Sequence, residues 1–150
     1  MTSDAKNARF CKKEIDDARP SPENLLAPEM TRVLLAEDEA LLREILVEGL
    51  SDEGFEVEAA MDGMEALILY RAKGPFDALL LDDEMPGLTG RQLLRLLRGE
   101  GATVAAVIFS GNLVLDDDER AELGVGPVLR KPVSMRDICA ALRDAIAGRK

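Results

Sequence analysis

Phe76-Asp77-Ala78-Leu79-Leu80-Leu81-Asp82-Asp83-Glu84-Met85-Pro86-Gly87 is a short apolar run that ends in carboxylates and is closed by a Pro-Gly turn. It reads as a buried strand delivering Asp82 to the loop at its C-terminal end. In open α/β sheets that edge carries the chemistry. The motif alone is weak, because a carboxylate at a strand end often merely caps the next element. Three further strand ends strengthen it. Residues 32–36 form an apolar run that breaks into Glu37-Asp38-Glu39. Residues 104–109 form another, ending in Ser110-Gly111-Asn112, and Pro127-Val128-Leu129 leads into Arg130-Lys131-Pro132. If all these strands are parallel, Glu37, Asp38, Asp82, Ser110 and Lys131 converge on one pocket.

Each residue type suits a task. Two or three carboxylates with flanking carbonyls make an oxygen-only site for Mg²⁺, which keeps several waters and needs no full protein cage. An aspartate can attack phosphorus and form an acyl phosphate. A lysine, as a compact point charge, and a serine hydroxyl can then meet the oxygens of the transferred phosphoryl group.

The order and spacing of these residues resemble those of the CheY-like receiver domains of two-component response regulators, over roughly residues 31–147. The matching pieces are Leu34-Leu35-Ala36-Glu37-Asp38-Glu39, Asp62-Gly63-Met64-Glu65-Ala66-Leu67, Leu80-Leu81-Asp82-Asp83-Glu84-Met85-Pro86-Gly87, Phe109-Ser110-Gly111 and Leu129-Arg130-Lys131-Pro132. The resemblance implies that Asp82 accepts a phosphoryl group from a histidine kinase or histidine phosphotransfer protein. It implies that Glu37, Asp38, Asp82 and the main-chain carbonyl of Glu84 hold Mg²⁺, and that Ser110 and Lys131 contact the phosphoryl oxygens. Receivers usually hold the bond before the equivalent of Pro132 cis, and cis is expected here. Output would be altered binding of a downstream protein or onward transfer in a phosphorelay. Such a protein is a phosphoacceptor and not an enzyme in the usual sense.

Helical periodicity supports the fold. It runs through Leu41, Leu42, Ile45, Leu46 and Leu50; Met64, Leu67, Ile68 and Ala72; Leu93, Leu94, Leu96 and Leu97; and Ile138, Ala141, Leu142 and Ile146, each run closed by a glycine. Strands fall between, with residues 55–60 the least buried. Five βα units with short connections predict a flavodoxin-like, doubly wound, five-stranded parallel sheet with helices on both faces.

Composition agrees. The 150 residues are 47% hydrophobic and only 3% aromatic, so the core is expected from Leu, Ile, Val, Ala and Met. The net charge is −10, nearly all of it after residue 30, which leaves no footprint for a nucleic-acid backbone. No apolar run approaches the about 20 residues that span a bilayer, and no signal-peptide core is present, so no membrane partner is expected. Cys11 and Cys139 have neither metal nor disulfide spacing, consistent with a reduced cytoplasmic setting.

Residues 1–30 read as a flexible N-terminal extension, at most transiently helical over 10–18, and residues 31–150 as the receiver domain. The extension is read as a dispensable leader, with Met30 an alternative start and a docking arm the competing reading. Because no second domain follows residue 150, a stand-alone receiver is expected.

Several departures qualify the resemblance. Val128 stands where receivers commonly place a Tyr or Phe that swings inward, so the switch must be smaller or differently built. Glu84, two residues after Asp82, either crowds the pocket with negative charge or points to solvent. Asp116-Asp117-Asp118-Glu119 is read as helix N-terminal charge, with partner recognition as the alternative, and Arg91, Arg95 and Arg98 as a solvated helix face.

The competing enzyme class is an Mg²⁺-dependent phosphatase of the haloacid-dehalogenase type, whose general acid lies two residues after the nucleophile, where Glu84 stands. A flavodoxin-like cofactor binder is disfavoured, because Glu37-Asp38-Glu39-Ala40 is acidic where a phosphate cradle wants Gly and Ser/Thr.

Overall fold

Two strands are buried along their whole length, and they are the most apolar runs in the chain. In the computed structural model, which describes residues 30–148, these are β3 (Ala78–Asp82) and β4 (Ala105–Ser110), and every residue of both is buried. With β1 (Thr31–Ala36), β2 (Phe55–Ala60) and β5 (Leu129–Arg130) they form one sheet in the order β2-β1-β3-β4-β5. Every pairing is parallel. Between the strands run α1 (Ala40–Asp52), α2 (Gly63–Lys73), α3 (Gly90–Gly99) and α4 (Asp117–Leu123), and α5 (Met135–Gly148) closes the chain. This is the expected flavodoxin-like (βα)5 sheet.

The period of two along each strand divides the core between the two faces. Leu34, Leu79, Leu81 and Ile108 pack with Leu67, Leu93, Leu94, Leu97 and Leu123 of α2, α3 and α4. Val33, Leu35, Leu80, Val107 and Phe109 pack with Leu46, Leu50, Ile138 and Leu142 of α1 and α5. Three phenylalanines, Phe55, Phe76 and Phe109, are buried in this core, which corrects the expectation of a wholly aliphatic one. Among the described methionines only Met85 is buried.

The registers bring the strand ends level. Ala36 pairs with Leu81, Asp82 with Phe109, and Ser110 with Arg130. The chain leaves β1 toward β2 on one side and returns to β3 on the other, so the ends of β1 and β3 flank the point where the winding reverses. A crevice opens there in sheets of this kind.

Some readings need correction. Strand β5 comprises Leu129 and Arg130 rather than residues 127–129, and neither is buried, so β5 and not β2 is the least buried strand. Pro127 has no N–H to give a ladder, and Gly124 turns the chain with φ +70° just before it. Of the periodic apolar residues, Leu41, Ile45, Met64, Ile68 and Leu96 are exposed, because a helix on a sheet buries only one stripe. Arg98 does not lie on a solvated face. Its Nε donates to the Leu123 carbonyl at 2.7 Å and Nη1 to that of Ala102 at 3.2 Å, tying α3 to the end of α4. Burial pushes its pKa down.

The acidic run does what its position predicts. The Asp116 side chain accepts the Glu119 N–H at 2.8 Å and the Glu119 carboxylate accepts the Asp116 N–H at 3.3 Å, a capping box at the start of α4. Cys139 is buried and free, while Cys11 and the expectations for the N-terminal extension, before Met30, lie outside the described residues. Among the described residues no helix is long and apolar enough to cross a membrane.

Candidate functional site

Asp82 is the last residue of β3 and is wholly buried. Its two oxygens face different groups. Oδ1 accepts the backbone N–H of Glu84 at 2.9 Å, folding the loop back over the carboxylate, and Oδ2 accepts a bond from Lys131 Nζ at 3.1 Å. The close approach of α3 helps to seat this loop. A Cβ on Gly90 would lie 2.7 Å from the Asp82 carbonyl oxygen, a distance side chains do not tolerate.

Glu37 and Asp38 follow β1 directly. Oxygen ligand atoms from Glu37, Asp38 and Asp82 lie within 4.8 Å of one another, with Glu37 and Asp82 buried and Asp38 exposed. Glu37 Oε2 accepts the Glu39 N–H at 2.9 Å. Its Oε1 is buried without a hydrogen-bond partner. Burial, together with the neighbouring Asp82 charge, pushes the Glu37 pKa up to about 7 against the opposing Glu39 hydrogen bond and Lys131. An orphaned buried carboxylate oxygen in an oxygen-only cluster is what a hard divalent cation would satisfy, so the residues present fit Mg²⁺.

Lys131 follows β5, and the bond between it and Pro132 is cis, as expected. Its Nζ lies 3.1 Å from Asp82 Oδ2, 3.3 Å from Glu84 Oε1 and 3.9 Å from Glu37 Oε1. Burial alone would lower its pKa, but the Asp82 hydrogen bond and the surrounding carboxylates raise it on balance.

The Glu84 side chain reaches across to the loop after β4 while staying exposed. Oε2 accepts the Ser110 hydroxyl at 2.8 Å, the Gly111 N–H at 2.8 Å and the Asn112 N–H at 3.1 Å. The Ser110 bond is the largest reason its pKa is lowered. A carboxylate held ionised in this way is a poor proton donor, so Glu84 lacks the property that the phosphatase reading requires of it.

All five expected residues therefore converge, while Val128 sits half-buried against the core on the α2–α4 face. Two supports escaped the sequence reading. Arg43, one turn into α1, donates from Nη1 to the Glu37 carbonyl at 2.9 Å, pinning the backbone that carries the acid pair. Asp83 supports α3 beside its N-cap Thr89: it is buried, and its Oδ1 accepts the N–H of Arg91 in the first turn of α3 at 2.9 Å. The adjacency of two aspartates was the available signal, but it does not say which one reaches α3.

Comparison with known proteins agrees with this geometry. Residues 33–143 match the family described as the response regulator receiver domain. The alkaline phosphatase synthesis transcriptional regulatory protein SphR of Synechococcus elongatus is 34% identical over 122 residues, covering 75% of this chain and 48% of that protein. The response regulator MprA of Mycobacterium tuberculosis is 34% identical over 113 residues, covering 75% and 49%. The chain thus spans about half the length of the curated relatives it matches. Among solved structures, the Vibrio cholerae chemotaxis protein CheY4 superposes with a TM-score of 0.70 at 27% identity, over 78% of this chain and 99% of that one. With most of its length matched by one family and the pocket assembled at the expected sheet edge, this chain belongs to the response regulator receiver domains of two-component signalling.

Proposed function

We propose that Asp82 is the phosphoacceptor and that its phosphorylation alters the binding of another protein. The observation that carries this reading is the position of Asp82: buried at the end of β3, its Oδ2 3.1 Å from Lys131 Nζ, within the Glu37 and Asp38 cluster. An Asp82 carboxylate oxygen attacks phosphorus of a phosphohistidine on a kinase or phosphotransfer protein. The P–N bond breaks, its electron pair stays on the imidazole nitrogen, and an acyl phosphate remains on Asp82.

Glu37, Asp38, Asp82 and the main-chain carbonyl of Glu84 would hold Mg²⁺, which when bound neutralises negative charge on the phosphoryl oxygens. Lys131 sets the Asp82 carboxylate in place and offers a cation to the incoming group. Ser110 offers its hydroxyl. Residues 31–150 carry most of the net charge of −10, so we read their own output as protein binding rather than nucleic-acid binding. The matched region is about half the length of a relative whose name describes transcriptional regulation.

Incubation of wild type and Asp82→Asn with acetyl phosphate, with and without Mg²⁺, followed by intact-mass measurement, tests the assignment. One phosphoryl group on wild type only, and only with Mg²⁺, is the expected outcome. Equal labelling of both proteins rejects it. Steady turnover of a generic phosphomonoester would instead favour the phosphatase.

A further inference from the structure

Ser110, Gly111 and Lys131 already hold an anion. The hydroxyl of Ser110 accepts the N–H groups of Asn112 at 3.1 Å and Leu113 at 3.0 Å, and donates its single proton to Glu84 Oε2. The Gly111 N–H points to the same oxygen, and Lys131 Nζ lies 3.3 Å from the other. A carboxylate thus sits among a hydroxyl, a backbone N–H and an ammonium, a donor set equally suited to phosphoryl oxygens. The glycine makes room for it: a Cβ at Gly111 would stand 3.3 Å from Glu84 Oε2, tighter than an ordinary contact.

We propose that the Glu84 carboxylate is an internal occupant of the phosphoryl-binding groups, which a phosphoryl group on Asp82 must displace. The proposal rests on the reading of Asp82 as phosphoacceptor. Ser110 has one proton and cannot give it to both anions. Lys131 divides its donors between Asp82 and Glu84. In the resting chain Ser110 is therefore already engaged by a negative group, and phosphorylation exchanges one anion for another. Glu84, once expelled, presents its charge beside residues 111–115. The residue thereby sets how readily the site accepts a phosphoryl group and how large the resulting change is.

Beryllium fluoride, which attaches to a carboxylate and stands in for a phosphoryl group, provides the test. Its dissociation constant at saturating Mg²⁺ would be measured by fluorine NMR on wild type, Glu84→Ala and Glu84→Asp. Glu84→Ala is expected to bind about tenfold tighter, corresponding to about 1.4 kcal/mol. Glu84→Asp keeps the charge but shortens the reach to Ser110 and Gly111, so it too should bind severalfold tighter than wild type, with the amide shifts of Gly111 and Asn112 moved in the resting protein. If Glu84→Asp binds like wild type, general charge repulsion suffices and the displacement is overturned. If wild type binds but Glu84→Ala gains nothing, the displacement fails while the Asp82 reading stands. If no form binds and acetyl phosphate labels Asp82→Asn as it labels wild type, the Asp82 reading fails and takes the proposal with it.

Discussion

The two halves of the pocket are satisfied unequally. On the β1 side, Glu37, Asp38 and Asp82 crowd together, and the buried Glu37 Oε1 has no hydrogen-bond partner. On the β4 side, Glu84 receives three donors within 3.1 Å and a lysine at 3.3 Å. One half gathers carboxylates, and the other gathers donors around an anion. Burial drives Glu37 toward its neutral form, whereas hydrogen bonds hold Glu84 ionised. The contrast teaches that similar side chains a few ångströms apart become opposites through the donors within their reach. Lys131 is the group that touches both halves.

Removing that shared cation should have the largest effect. Lys131→Met is expected to slow labelling of Asp82 by acetyl phosphate by about 10²-fold or more, the loss typical of a missing electrostatic donor at developing charge. A change of less than tenfold in the single-turnover rate would mean that the halves work independently.

Adding a divalent cation comes next. Mg²⁺ at about 100 times its dissociation constant should stabilise wild type by about 2.7 kcal/mol. Thermal melts with and without millimolar Mg²⁺ read this directly. The rise should vanish in Asp38→Ala, and a rise that survives that substitution would place the metal elsewhere.

Arg43→Ala leaves every carboxylate in place but frees the Glu37 carbonyl that Nη1 holds. Mg²⁺ affinity, measured by calorimetry, should weaken about tenfold, at the low end for supports of metal ligands. An unchanged affinity would show that the acid pair is positioned by the strand alone.

The smallest effect concerns the satisfied half. Ser110→Ala removes an acceptor for two N–H groups and a donor to Glu84, and should cost about 1 kcal/mol in urea unfolding. In the same region, beryllium fluoride with Mg²⁺ should move the amides of residues 110–118 more than that of Val128, which has no ring to swing. Equal shifts at both would refute a switch centred on Ser110.

Much of this architecture was legible because its signals are local. Residues 78–82 and 105–110 are uninterrupted apolar runs, and buried parallel strands read that way. The acidic start of α4 carries its own capping box, confined to four consecutive residues. The exposed residues Leu41, Ile45, Met64 and Ile68 were less readable, since periodicity marks a helix without naming the stripe that meets the sheet. Arg98 misled for a related reason. The i, i+4 and i+7 spacing of Arg91, Arg95 and Arg98 describes one face, but the partners of Arg98, Leu123 and Ala102, lie on other segments.

By itself the sequence determined which apolar runs become strands and the chemistry gathered where they end. An apolar run must be buried, parallel strands share an edge, and Glu37, Asp38, Asp82, Ser110 and Lys131 all stand at run ends. Only the tertiary structure decided what Glu84 does, which aspartate meets the first turn of α3, and how Arg43 and Arg98 are spent. A long side chain has several rotamers of similar energy, and the choice among them falls to donors and acceptors far away in the chain. Ser110 is 26 residues from Glu84, and no local pattern in a sequence encodes that pairing.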